Sequence, residues 1–387
     1  MVDEQLLERT LDFLVSQDSP SGTEAVLAEG FAAYAQRYGL TGRTHAVGDG
    51  RASCLITSSN GVGRHVVLSG HIDTLPLPVD EVGRRGRVDE RYFGPEVNNM
   101  KAAVAAMFAA QVAVVSDGLP GRITLLAAAS ECDTIGLGTV QALEQLGHVD
   151  GAINGEPTDL GILAGHTGVA RVRVVAAGAA AHVSQPGVGV NAVELLVSAL
   201  TGLRAEVLGA PVDERFPGTP IVNVGVIGGG IAASLLAPQA TAEIDIRYAP
   251  GMSLQAIVQA ISEYLRSRVP DGSVTATPLA PPVFHQPEPY LLDPDWQISV
   301  AISRAHLAVT GKECEASFAH PQIYYGSDAP HLVAAGIPTV MYGPGKAADV
   351  NRPDEAILWR DVVQAASVYE TALRSYLAET AEERSAS

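Results

Sequence analysis

Cysteine is scarce, with only Cys54, Cys132 and Cys314 in 387 residues. Three thiols so widely scattered exclude a disulfide framework or a C-x-x-C metal site. Basic residues are short as well: 25 Lys and Arg stand against 43 Asp and Glu, a formal net charge of -18. Such a surface repels phosphate backbones and anionic lipid heads, so neither nucleic acid nor membrane is expected as a partner. Aromatic residues make up only 5%, which leaves Val, Ile, Leu and Ala to fill the interior. No long apolar run is present. The longest, from Ala102 to Val115, contains Gln111 and is shorter than the ~18–20 residues that span a bilayer. The first residues are acidic and lack a basic n-region, so no secretory signal and a cytoplasmic location are expected.

What is there is a core. Hydrophobic residues reach 47% and charged ones 18%, the balance of a globular chain of two or three domains. Val66-Val67-Leu68 runs as a strand into His71-Ile72-Asp73, and an Ala-rich helix is expected over Lys101 to Val115. A second strand, Ile123 to Ala129, runs into Ser130-Glu131-Cys132-Asp133. A helix near Gly138–Gln145 follows, then a strand ending at Gly155-Glu156-Pro157. This alternation predicts an α/β layer: a mostly parallel sheet with helices on both faces.

The pattern then changes. Val169 to Val175, Val222 to Val226 and Ala242 to Arg247 alternate as half-buried antiparallel strands. Helices are expected from about Asn191 to Leu208 and from Ser253 to Arg268, and Gly228-Gly229-Gly230 reads as a turn after a strand. Two helices on an antiparallel sheet make an inserted α+β unit. Strand–helix alternation resumes after the Pro-rich stretch near 278–289, and the last ten residues should fray. The expected domains are 1–166 with 284–387, and 167–283 between them.

In an open α/β sheet, sites form beyond the carboxyl ends of the strands. His71 and Asp73, then Glu131, Cys132 and Asp133, then Glu156 each follow directly on an expected strand. His at i and Asp at i+2 point to one side, so the carboxylate can orient an imidazole that binds metal through its other nitrogen.

These motifs resemble the M20 metallopeptidases, which include acetylornithine deacetylases and succinyl-diaminopimelate desuccinylases. The resemblance is carried by Ser69-Gly70-His71-Ile72-Asp73-Thr74, Asn99-Met100-Lys101, Glu131-Cys132-Asp133 before Gly138-Thr139, and Gly155-Glu156-Pro157-Thr158. It continues through Ala181-His182-Val183-Ser184-Gln185-Pro186, Asn191-Ala192, Asp245-Ile246-Arg247, Gly326-Ser327-Asp328-Ala329 and Gly343-Pro344-Gly345. It implies hydrolysis of the amide bond of an N-acyl amino acid or small peptide, with a lid domain that makes a homodimer. It further implies that His182 stabilises the oxyanion of the partner subunit's reaction, and that Asn191, Arg247 and Ser327 belong to the substrate site.

Three departures bear on the metal. The family pattern has a zinc-bridging Asp where this chain has Asn99, and a late metal-binding His where it has Asn351. A neutral amide cannot supply the negative charge that offsets repulsion between two zinc ions, so Asn99 is a weak or lost ligand and Asn351 a lost one. The third departure is at the family's Glu-Glu pair, a general base followed by a ligand. Either Glu131 is the base and Cys132 the ligand, or Cys132 takes the base position and Asp133 the ligand position. The expected site is thus His71 and Glu156 around at most one divalent ion, zinc first, or around none. Asp73, Glu131, Cys132 and His182 are the catalytic candidates. The alternatives are metal-free chemistry on Cys132 or a binder without activity.

Overall fold

The computed structural model describes residues 2–48, 50–75, 83–185, 187–209, 213–279, 284–319, 321–350, 352 and 354–378. The C-terminal tail beyond Ala378, Pro186 of the lid motif and Asn351 lie outside the described residues. Two compact units are present. One comprises Met1–Gly165, Tyr290–Ile323 and Ser327–Ser387, and the other His166–Pro289 with Tyr324–Gly326.

The first unit is built on a six-stranded sheet. Its strands are β1 Thr41–Gly48, β2 Arg51–Asn60, β3 His65–His71, β4 Gly121–Ala128, β5 Gly151–Asn154 and β6 Thr339–Met341. They lie in the order β1-β2-β4-β3-β5-β6. β1, β2 and β4 pair antiparallel, whereas β4, β3, β5 and β6 are mutually parallel. Sequence analysis placed the parallel strands and missed β1 and β2. The reason is physical. β1 is an edge strand with almost every residue at least partly exposed, so nothing imposes an apolar pattern on it.

Both faces of the sheet are covered. Cys54, Ile56, Val66, Leu68 and Leu125 pack with the helices Glu4–Ser16, Ala25–Gln36, Ala102–Val115 and Trp359–Ala378. Leu55, Val67 and Leu126, one residue out of phase, meet Ala142 and Leu146 of the helix Leu137–Leu146, together with Leu332. The period-2 alternation of buried residues thereby feeds two separate cores.

The helix Ala102–Val115 is fully buried along most of its length, and its alanines explain how. A Cβ added at Gly70 would lie 2.8 Å from the ends of Met100 and Val104, and one at Gly155 would lie 2.8 Å from Ala103. Small residues on both sides let this helix run close beneath the ends of β3 and β5. Together with the preceding turn, Val97–Val115 is long and apolar enough to cross a membrane by length and composition, contrary to the expectation from the sequence. Its 18-residue window is 83% buried inside the protein.

In the second unit, strands Ile221–Gly229, Gln239–Tyr248, Gly168–Ala177 and Val274–Pro278 form an antiparallel sheet in that order. Alternate residues Ala170, Val172, Val174, Ala242, Ile244 and Ile246 are buried against the helices Ala192–Leu200 and Leu254–Arg268. The expected 191–208 helix stops at Leu200. Thr201 turns to extended backbone there, Gly202 has φ +85°, and a separate single turn covers Ala205–Leu208. The triglycine is not a turn throughout. Gly228 and Gly229 continue the strand opposite Thr241 and Ala240, and only Gly230, at φ +80°, turns the chain.

Candidate active site

β3, β4 and β5 end side by side: His71 stands opposite Ala128, and Ser69 opposite Asn154. The chain leaving β3 carries His71-Ile72-Asp73, and the chain leaving β4 turns at Ser130, in the left-handed region at φ 60°, into the short helix Glu131–Thr134. Asp73, fully buried, ties the two together. Its Oδ1 accepts from the Glu131 amide at 3.1 Å and its Oδ2 from the Cys132 amide at 2.9 Å. Oδ2 also accepts from the Ser21 hydroxyl at 2.8 Å, and Oδ1 lies 3.4 Å from His71 Nδ1. Burial alone would raise Asp73, but the bonds from His71, Ser21 and the Glu131 amide hold it below the usual carboxylate range.

His71 Nδ1 faces Asp73, so its other nitrogen is the free one. Nε2 is buried without a hydrogen-bond partner and lies 3.9 Å from Glu131 Oε2. Cys132 Sγ is 3.9 Å from Nδ1. Burial disfavours the imidazolium, yet Cys132, Asp73 and Glu131 around it hold its pKa well above the usual value. The neighbouring carboxyls are raised as well. Burial raises Glu131 well above its usual range, pushes Glu156 up to about 7, and raises Asp328 and Glu96. Burial and Asp73 raise the Cys132 thiol well above its usual value. A thiol held protonated in this way is a poor nucleophile.

The two registers for the acidic triplet meet a definite geometry. Asp133 turns away and pairs with Arg51 at 2.7 Å, and Arg51 also donates to Ser130 at 2.6 Å. The residues gathered at His71 are Glu131 and Cys132, so Asp133, expected as a ligand in the second register, serves to hold the turn. Glu156 is fully buried beyond β5. Among the described residues, the one group whose metal-binding atoms all lie within 4.8 Å of one another is His71, Glu131 and Cys132. Glu156, expected as a ligand with His71, stands outside that group.

The other candidates have their own local contacts. Ser327 is fully buried, and its hydroxyl accepts from the Ala329 amide at 3.2 Å at the start of a short helix. Asn191 caps Ala192–Leu200 by accepting from the Val193 amide at 3.1 Å. Arg247 is bound to Asp245 at 2.7 Å and donates to the Tyr324 carbonyl. His182 is exposed. Its Nδ1 accepts from the Ser184 amide at 3.2 Å, which leaves Nε2 as the protonated donor. Sequence reading missed the loop Ser19–Ser21. Ser19 donates to the Ile72 carbonyl at 2.7 Å, and fully buried Lys101 donates to Ser19 at 2.9 Å. The Ser-Pro-Ser-Gly run carried only an ordinary turn signal.

The peptidase dimerisation domain of the M20 family matches residues 164–273. An acetylornithine deacetylase of Erwinia tasmaniensis is 29% identical over 319 residues, covering 78% of each chain. A tripeptidase from Staphylococcus aureus superposes with a TM-score of 0.77 at 20% identity, covering 98% of this chain and 100% of its own. The chain carries an M20 peptidase dimerisation domain and shares the fold of M20 peptidases. A further M20 member, a dinuclear metal-binding peptidase from Bacillus subtilis, shares the fold at a TM-score of 0.65 and 15% identity, covering 96% of this chain and 98% of its own.

The resemblance of the sequence motifs to the M20 metallopeptidases implies a metal site. The donors in this chain fit one ion: an unpartnered buried imidazole nitrogen, a carboxylate 3.9 Å from it and a thiol. Ligands around a tetrahedral zinc are separated by roughly 3.3 Å when metal–ligand bonds are about 2.0–2.1 Å. A small movement of Glu131 would close that gap.

Proposed function

We propose that this chain hydrolyses the amide C–N bond of an N-acyl amino acid or small peptide. The observation that carries this reading is the convergence of His71, Glu131 and Glu156 on the ends of parallel strands, with Asp73 orienting His71. A divalent ion held by His71, Glu131 and Cys132 would polarise the amide carbonyl and a water molecule. Glu156, with its pKa near 7, takes the proton of the attacking water on a carboxylate oxygen and passes it to the departing amine. His182, with Nε2–H exposed, supplies a donor to the oxyanion of a partner subunit.

The test is release of primary amine from a panel of N-acetyl amino acids and dipeptides by the zinc-supplied protein. Turnover on at least one class is expected, and Glu156→Gln should lower kcat by roughly 100-fold or more, within the range of general acid–base contributions. A metal-loaded protein that releases amine from none of them would overturn the reading.

The second unit supports a homodimer. Its edge strand Ile221–Gly229 is exposed over nearly its whole length, with Val226 58% and Ile227 57% accessible. An apolar edge with free backbone groups is a site for strand pairing with a second copy. Val226→Lys is expected to convert a dimer to a monomer in light scattering. A wild type that is already monomeric at micromolar concentration would refute the assignment.

A further inference from the structure

We infer that this chain binds a single, thiolate-held divalent ion through His71, Glu131 and Cys132, and that it selects zinc-like over magnesium-like metals. The inference deepens the hydrolase reading and rests on it for the location of the site. Three observations carry it. The metal-binding atoms of these residues lie within 4.8 Å of one another. His71 Nε2 is buried without a hydrogen-bond partner while Asp73 occupies the Nδ1 side. The amide of Cys132 is anchored on Asp73 at 2.9 Å, which sets the thiol beside the imidazole.

Residue type argues against a second ion. In the family-like motif Asn99-Met100-Lys101, Asn99 takes the place of a bridging carboxylate, and a neutral amide does not offset repulsion between two dications. Asp133, the other acid of the triplet, is committed to Arg51 at 2.7 Å. Soft thiolate favours zinc, cobalt and cadmium, whereas magnesium and manganese prefer oxygen donors. On binding, the ion takes the sulfur and the thiol proton leaves to solvent, together with any proton on the imidazole.

Cobalt(II) titration of the chelator-treated full chain tests this without reference to turnover. Saturation at one equivalent is expected, with a near-ultraviolet thiolate-to-cobalt charge-transfer band that one equivalent of zinc bleaches and excess manganese does not. Cys132→Ser, shown to be folded by circular dichroism, should lose the band and bind cobalt roughly 100-fold more weakly or worse, since even outer-sphere changes cost 10–100-fold. Two tightly bound equivalents, one equivalent with no thiolate band, a band that survives Cys132→Ser, or no binding would each overturn the inference. If the band forms and no amide is cleaved, the hydrolase reading fails while the metal assignment stands.

Discussion

Asp73→Asn is expected to destabilise the protein by about 3–5 kcal/mol, the cost of breaking one partner of a buried charged pair, and to lower activity at least 10–100-fold. The carboxylate is fully buried and accepts from Ser21, the Glu131 amide and the Cys132 amide, with His71 Nδ1 at 3.4 Å. An asparagine offers one acceptor oxygen and an NH2 group that would meet donors on either side. The short helix Glu131–Thr134 would lose its anchor, and His71 would lose the partner that aims its free nitrogen outward. Ser21→Ala removes one contact of the four and is expected to cost about 1 kcal/mol. Urea unfolding and amine release, measured on both variants, check the order of effects. An Asp73→Asn protein with wild-type midpoint and rate would refute the anchoring role.

Lys101→Met is expected to stabilise the protein at pH 7 by about 3 kcal/mol, an advantage that disappears by about pH 10.5. Burial depresses Lys101 from 10.5 to about 8, against the attraction of Glu96. The sign follows from the two states. Below pH 8 the lysine is charged in both, and the folded state bears the cost of burying that charge. Between 8 and 10.5 the folded protein sheds the proton while the unfolded chain keeps it, so wild-type stability rises relative to the variant. Above 10.5 both are neutral. Ser19 still donates to the Ile72 carbonyl without Lys101, so the substitution strands no hydroxyl. Urea unfolding of both proteins at pH 7 and pH 10 reads the difference directly. A variant less stable at pH 7, or a gap that does not change with pH, would show that Lys101 is compensated in the fold.

Much of the site could be read from the order of residues because strand ends are local events. His71, Glu131 and Glu156 each follow an apolar run by one to three residues, and the parallel sheet brings run ends to one edge. The antiparallel unit was legible for the same reason: the alternation over 169–175 and 242–247 is the burial pattern of its sheet. Ser327 and Asn191 show where such reading stops. Each sits in a motif: Asn191 caps its helix and Ser327 accepts from the Ala329 amide, contacts that depend on where each helix begins.

The sequence by itself determined the α/β class, the inserted α+β unit and the strand ends that carry chemistry. These follow from periodicity and residue type, which act over a few positions. Only the tertiary structure decided which member of Glu131-Cys132-Asp133 faces His71. Arg51, eighty-two residues from Asp133, draws that carboxylate away, and Asp73 grips the amides of the other two. It alone also placed Lys101 against Ser19. Charge pairing and burial act through space, between segments whose separation along the chain carries no trace of their contact.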